Sequence, residues 1–92
     1  MKFTINHARA LTGNDISVAV EADEGKAIQS VLTSLDGLQL ANDILPVPSD
    51  SYDRLFSGAG HASPNKEHTL VVSAALNDGT VHSSTSKWTD LN

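Results

Sequence analysis

The segment from residue 68 to residue 88 constrains the fold most strongly, because it predicts a β-hairpin. One face of its first half is apolar with a period of two residues, which is typical of a half-buried strand. The residues of that face are Leu70, Val72, Ala74 and Leu76. The turn sequence Asn77-Asp78-Gly79 follows, and a polar extended segment then leads to Trp88. The hairpin therefore favours a fold built from β-sheets.

Two segments near the N-terminus predict strands by the same alternation. In residues 2–11, Phe3 and Ile5 share one face and polar residues occupy the other. A cluster of turn residues follows at 12–15. Alternate residues of 16–22 then form the apolar face of a second predicted strand.

Residues 27–35 allow two interpretations. In a strand, the later apolar residues share a face, and Ile28 joins them only if a β-bulge lies near Gln29-Ser30. In a short helix, the same apolar residues fit helical spacing. We favour the strand because Asp36-Gly37, typical of a type I′ hairpin turn, follows at once and the alternation resumes in residues 38–40.

The segment after this hairpin contains two prolines. We expect residues 41–43 to end the hairpin and residues 44–48 to follow as a separate extended piece. Pro46 and Pro48 cannot donate to a sheet ladder, because proline has no backbone N–H. Residues 44–48 are therefore predicted to form an edge strand or an extended crossover.

Residues 49–56 predict one helical turn, with Ser49 or Asp50 as its cap. Such a turn would direct the side chains of Tyr52, Leu55 and Phe56 towards the core. Residues 58–67 form the longest predicted irregular stretch.

Together the segments predict one domain over residues 1–92, an all-β, antiparallel Greek-key β-sandwich. About seven short strands, with turn signals at intervals of roughly 8–12 residues, are typical of that architecture. An open barrel is the alternative fold.

The sequence resembles the bacterial immunoglobulin-like and fibronectin type III-like domains in two places. Residues 28–37 are similar to the third strand of those domains and its Asp-Gly turn. Residues 68–74, followed by Asn77-Asp78-Gly79, are similar to their last hairpin. The chain lacks the cysteine pair of antibody-type domains. It also lacks their central tryptophan, because Trp88 lies at the end of the last strand instead. The resemblance implies an immunoglobulin-like sandwich, and it concerns the fold rather than a function.

The charge balance excludes two classes of partner. Six basic residues against eleven acidic ones give a net charge of −5. Nucleic acids and anionic membranes select basic surfaces, so neither is an expected partner. The balance is that of an acidic, soluble protein.

The expected compartment is the cytoplasm. The chain has no cysteine, which excludes disulfides and thiolate chemistry. Small domains without disulfides are more common inside the cell than among secreted proteins. The N-terminal residues contain no apolar run of signal-peptide length, and no segment approaches a membrane span. Signal-independent export, or a trimmed chain, is the alternative.

No motif points to catalysis, to a metal site or to a cofactor site. We therefore predict that the protein is not an enzyme and that it binds neither a metal nor a cofactor. The histidines lack the spacing of metal ligands and are interpreted as solvated residues on strands and loops, with His68 at the rim of a buried face. They are His7, His61, His68 and His82. His7 and His82 could meet only if the first and last strands were neighbours. The glycine-rich residues 58–60 lack the lysine of a phosphate-binding loop, and the acidic residues form no regular calcium loop.

The absence of such motifs favours a non-catalytic protein–protein interaction module that acts through loops or a sheet edge. The candidate partner-binding loop contains His61, Asn65, Lys66 and Glu67. The edge near residues 44–48 is a second candidate surface. The expected partner is another protein, and the chain itself is expected to be a monomer or a weak homodimer paired through an edge strand.

Two other functions are weaker alternatives. A carbohydrate- or ligand-binding module would need exposed aromatic rings, and Tyr52 and Trp88 are the candidates. A hydrolase would need Ser57 and His61 to act as nucleophile and base, but they lack the strand-to-helix elbow that exposes such a serine.

Overall fold

The computed structural model describes residues 1–10, 13–59 and 67–89, and for residues 8–10, 13–14 and 58–59 it describes the backbone alone. These residues form seven strands and no helix. The strands are β1 (Lys2–Ala10), β2 (Gly13–Glu21), β3 (Ile28–Leu35), β4 (Leu38–Ser49), β5 (Ser51–Ala59), β6 (Glu67–Leu76) and β7 (Val81–Thr89). The predicted all-β class is confirmed.

The strands form two antiparallel sheets that enclose one core. The first sheet has the order β1-β2-β5, and the second has the order β4-β3-β6-β7. Alternating residues of both sheets enter a single buried cluster, as the period-two patterns predict. Its fully buried members include Ile16 and Val20 from the first sheet and Ile28, Leu70 and Val72 from the second. Two sheets sharing one core make the protein a β-sandwich.

The third strand contains the predicted bulge. The pairings of β3 with β4 and with β6 both shift register between Ile28 and Ser30. The shift returns Ile28 to the core face, where its side chain is fully buried. Asp36 (φ 52°) and Gly37 (φ 82°) are both left-handed, as a type I′ turn requires. The strand interpretation of residues 27–35 is confirmed and the helical alternative is wrong.

The fourth strand is longer than predicted. Residues 41–43 do not end the hairpin, because β4 continues to Ser49. It is an edge strand of its sheet, so the edge-strand interpretation of residues 44–48 is confirmed. The prolines are tolerated because residues 45–48 lie between the pairs Ser30–Ile44 and Ile28–Ser49, where β3 offers no paired residue.

The predicted helical turn at residues 49–56 is wrong, since residues 51–59 form β5. Tyr52 and Phe56 are four residues apart, a spacing that places both on one face of a helix or of a strand. Pairing with β2 decides between them, with Tyr52 opposite Val20 and Phe56 opposite Ile16. Leu55 points to the opposite face and is 64% exposed.

The predicted irregular stretch is shorter than 58–67. Residues 58–59 belong to β5 and Glu67 begins β6. The remaining residues, 60–66, lie outside the described part of the chain.

The hairpin of β6 and β7 is confirmed, and its nine residue pairs run without a register shift. In its turn the Gly79 N–H donates to the Leu76 carbonyl (3.1 Å), and the Leu76 N–H donates to the Thr80 carbonyl (2.9 Å). Gly79 has a φ of 89°. This geometry is a three-residue loop with a glycine bulge, the usual solution for a hairpin connection of this length.

Candidate functional site

The predicted partner-binding loop lies almost entirely outside the described residues. His61, Asn65 and Lys66 fall in the segment 60–66. Glu67 is described, and it is the exposed first residue of β6. The structure therefore locates one end of this loop, next to the end of β7, because Glu67 pairs with Thr89.

The two aromatic rings required by the carbohydrate hypothesis are buried. Tyr52 and Trp88 are each 8% exposed. Tyr52 faces the core from β5, and Trp88 faces it from β7. Neither ring offers the exposed face on which a sugar would stack.

His68 is fully buried, so the interpretation of it as a rim histidine is wrong. Its Nδ1 lies 2.6 Å from Oδ2 of Asp36, and Oδ1 of Asp36 accepts a hydrogen bond from the Thr69 N–H (2.8 Å). A carboxylate from the β3–β4 turn thus compensates for burying the imidazole. Strand periodicity placed His68 on the core side, but the partner that permits its burial comes from 32 residues away.

Trp88 packs between two histidines. The ring of His7 stacks on it at 4.5 Å, and the ring of His68 contacts it at 5.6 Å with a tilt of 36°. A histidine oriented by a carboxylate is the arrangement of a catalytic base. Here the imidazole of His68 is fully buried against Trp88 and does not face solvent.

The other histidine pair does not meet. His7 lies beside Trp88, whereas His82 lies at the opposite end of β7 and interacts electrostatically with Asp23. Within residues 1–10, 13–59 and 67–89 no three or more His, Asp or Glu side chains are grouped as a metal site would require. Of the proposed Ser57–His61 pair, Ser57 is exposed at the end of β5 and His61 is outside the described residues.

A polar cluster that the sequence did not predict joins the two sheets at one side. Arg54 of β5 approaches both carboxylate oxygens of Asp43 on β4, with Nη1 at 2.7 and 2.9 Å. The Tyr52 hydroxyl also donates to Asp43. We call these three residues the inter-sheet clasp. The clasp connects β4, an edge strand of the four-stranded sheet, to β5, an edge strand of the three-stranded sheet. The arrangement of these strands brings the three residues together.

The clasp shifts the protonation of its members. The hydrogen bond from Tyr52, followed by that from Arg54, lowers the pKa of Asp43 below its ordinary value. Burial, reinforced by the Asp43 carboxylate, raises the pKa of Tyr52. An open groove of about 650 Å³ adjoins the clasp between β4 and β5, and Ile44 and Leu45 line part of it.

The outer face of the four-stranded sheet carries no charge in three successive rows, and its charged residues Lys87 and Glu67 lie beyond them towards the end of β7. Three rows of paired residues cross the sheet from β4 to β7. They are Ile44–Ser30–Ala75–Val81, Asn42–Leu32–Ser73–Ser83 and Gln39–Ser34–Val71–Thr85. Ile44 is 70% and Val81 63% exposed, and Leu32, in the next row, is 38% exposed. We call these rows the uncharged face.

The outer face of the three-stranded sheet has a different composition. Its rows are Lys2–Glu21–Ser51, Thr4–Ala19–Asp53 and Asn6–Ser17–Leu55. Three of these side chains, Lys2, Glu21 and Asp53, are charged, as is usual for a solvated sheet face. The contrast therefore lies between these rows and the three rows of the uncharged face.

No protein-family model matches the chain, and no curated protein matches it significantly. Among the described residues, no helix is long and apolar enough to span a membrane.

Proposed function

We propose that this protein is a non-catalytic protein–protein interaction module with a Greek-key, immunoglobulin-like fold of the fibronectin type III-like kind. The strand order supports the fold assignment. In the immunoglobulin sandwich, strands A, B and E share one sheet and strands C, F and G the other. Here β1, β2 and β5 correspond to A, B and E, and β3, β6 and β7 correspond to C, F and G.

The observation that carries the functional proposal is the uncharged face. Exposed sheet faces normally include charged side chains. This chain has seventeen charged side chains, six basic and eleven acidic. The centres of protein interfaces are depleted of charge, because an unpaired charge is costly to remove from water. A face with exposed Ile44, Leu32 and Val81 among small neutral residues has the composition of such a centre.

The proposed partner is another protein that presents a flat, neutral surface to this face. The small residues Ser30, Ser73 and Ala75 in the middle of the face allow a partner to approach closely between the larger side chains of the flanking strands. The loop that contains His61, Asn65, Lys66 and Glu67 is proposed as a second contact region. The net charge of −5 argues against nucleic acid as the partner.

The test is capture of binding proteins from the source cell with three baits: the wild type, Ile44→Lys and Leu55→Lys. Ile44 (70% exposed) lies on the uncharged face, and Leu55 (64% exposed) lies on the outer face of the other sheet. Each variant adds one lysine at a solvent-exposed strand position. We expect Ile44→Lys to lose the partner and Leu55→Lys to retain it.

Circular dichroism and thermal melts of both variants establish that the fold is intact. Retention of the partner by Ile44→Lys, or equal loss by both variants, would contradict the proposal. Alanine substitution across residues 61–67 tests the second region separately, since an unchanged partner would remove that loop from the interface.

A further inference from the structure

The four edge strands of the sandwich differ in how well they resist pairing with another chain. Edge strands expose unpaired N–H and C=O groups, and proteins usually interrupt them with prolines, charges or bulges. β4 contains Pro46 and Pro48, and β5 contains Asp53 and Arg54 beside an irregular register with β2. β1 carries a basic residue near each end of its sequence, Lys2 and Arg9.

β7 has the fewest of these interruptions. It is nine residues long, contains no proline and pairs with β6 without a register shift. Its one residue with a permanent charge is Lys87, and four consecutive serines and threonines, residues 83–86, form its centre. A long, regular and nearly neutral edge of this kind is a template for strand addition.

The hydrogen bonding of the hairpin shows which backbone groups of β7 are available. Leu76 is bonded to Thr80, and bonded pairs alternate along an antiparallel ladder. The even-numbered residues of β7, from His82 to Trp88, are therefore the ones bonded to β6. The odd-numbered residues direct both their N–H and their C=O away from β6, towards the open edge of the sheet. They are Val81, Ser83, Thr85, Lys87 and Thr89.

We propose that β7 pairs with β7 of a second copy, antiparallel and about a two-fold axis at Thr85. Thr85 then lies opposite the partner's Thr85, Ser83 opposite the partner's Lys87, and Val81 opposite the partner's Thr89. Each of these pairs joins outward-directed residues, so both members exchange N–H···O=C hydrogen bonds. The two four-stranded sheets become one continuous sheet.

The register about Thr85 is favoured for two reasons. It pairs all nine residues of β7, whereas displacement of the axis along the strand shortens the ladder at both ends. It also sets the Lys87 ammonium opposite a serine, so no like charges face each other. A second copy is therefore the occupant that this edge fits. Because β7 is the last strand of the uncharged face, the uncharged faces of the two copies lie side by side on the joined sheet.

The test compares Thr85→Lys with Thr4→Lys in the whole chain. Both replace an exposed threonine on the outer face of an edge strand, but Thr4 lies on β1 of the other sheet. Sedimentation equilibrium over a wide concentration range should show dimerisation of the wild type. Thr85→Lys should weaken it by roughly tenfold or more, because two lysines then face each other at the axis. Thr4→Lys should leave it unchanged.

Amide exchange measured by NMR distinguishes edge pairing from other dimers. The amides of Ser83, Thr85 and Lys87 should gain protection as protein concentration rises, whereas those of Ser84 and Ser86 should be protected at every concentration. A wild type that is monomeric throughout, a Thr85→Lys variant that still dimerises, or a dimer without new protection at these amides would overturn the proposal. So would pairing of β7 with a foreign peptide in place of a second copy.

This inference and the proposed function can fail independently. Ile44 lies on β4, at the opposite side of the sheet from β7. Ile44→Lys should therefore dimerise like the wild type even where it loses a heterologous partner.

Discussion

Buried polar side chains in this core differ in whether a partner compensates for their burial. His68 is fully buried and lies 2.6 Å from the Asp36 carboxylate. Thr33 is also fully buried, yet its hydroxyl has no hydrogen-bond partner among the described residues. A buried polar atom without a partner costs about 1–3 kcal/mol. Thr33 is therefore a residue at which the sequence is not optimal for stability.

The substitution Thr33→Val should stabilise the protein. Valine has nearly the same shape and replaces the unpaired hydroxyl with a methyl group, so the free energy of unfolding should rise by roughly 1 kcal/mol. Urea denaturation measures the change. Thr4→Val, at an exposed position, is the control and should change it by less than about 0.5 kcal/mol. Destabilisation by Thr33→Val would show that the hydroxyl has a partner.

Trp88 is the single tryptophan of the chain, and its burial can be measured directly. With 8% of its surface exposed, its fluorescence should be blue-shifted and protected from acrylamide in the folded protein. Both properties should disappear in concentrated urea. Red-shifted, freely quenched emission from the folded protein would instead place the ring in solvent and return the carbohydrate-binding hypothesis to consideration.

At the scale of the strands, local pattern predicted most of the fold. β1, β2, β3 and β6 each combine period-two alternation with a flanking turn sequence, which predicts a strand. β7 is predicted only as the polar extended half of the hairpin that follows the Asn77-Asp78-Gly79 turn. The bulge at Gln29-Ser30 was predictable because Ile28 could not otherwise reach the core. β5 was missed because the spacing of Tyr52 and Phe56 fits a helix and a strand equally, and only pairing with β2 distinguishes them.

The candidate site was less predictable than the strands. The uncharged face consists of single residues from four strands, and its rows exist only once the register of every pair is known. The same is true of the clasp, since Asp43 and Arg54 come from different sheets. Sequence reasoning identifies only continuous segments, the loop of residues 58–67 and the edge near residues 44–48, and of the uncharged face the second segment contains Ile44 alone.

The β3–β4 turn should depend on its left-handed glycine. Gly37 has a φ of 82°, and no atom lies within 4 Å of a Cβ added there. Gly37→Ala should therefore lower the free energy of unfolding by about 1 kcal/mol through backbone strain rather than a clash. Gly37→Asn is the matched variant, and it should cost less because asparagine tolerates this region better. Equal costs in chemical denaturation would contradict this account of the turn.

At the scale of the whole molecule, two features organise the sandwich: a shared core with a clasp at its side, and two outer faces of unlike composition. The clasp connects an edge of the three-stranded sheet to an edge of the four-stranded sheet through Asp43. The outer face of the three-stranded sheet carries charged side chains, and the rows of the uncharged face, which we propose as the partner-binding surface, carry none. Both features follow from strand order rather than from any local motif.

The clasp should make stability depend on pH in the acid range. In the folded state the pKa of Asp43 is lowered below its ordinary value of 3.8. The stabilisation that the Asp43 carboxylate contributes is therefore fully present above pH 3.8 and is lost as the pH falls through the lower pKa of the folded state. The difference in unfolding free energy between the wild type and Asp43→Asn should therefore be constant near neutrality and shrink below pH 3.8.

Denaturant titrations at a series of pH values measure this difference. Asp53→Asn on β5 is the control, because Asp53 is exposed and lies on the outer face of the three-stranded sheet. A difference for Asp43→Asn that does not change on acidification would show that the clasp contributes nothing to the pH dependence of stability.

Site-specific photo-crosslinking tests the role of the uncharged face most directly. A photoreactive amino acid replaces Leu32, at the centre of that face, or Ala19, at the centre of the opposite outer face. Irradiation in the source cell should join a partner protein to the chain labelled at position 32 and not to the chain labelled at position 19. Crosslinks from position 19 alone, or equally from both positions, would contradict the assignment of the uncharged face as the binding surface.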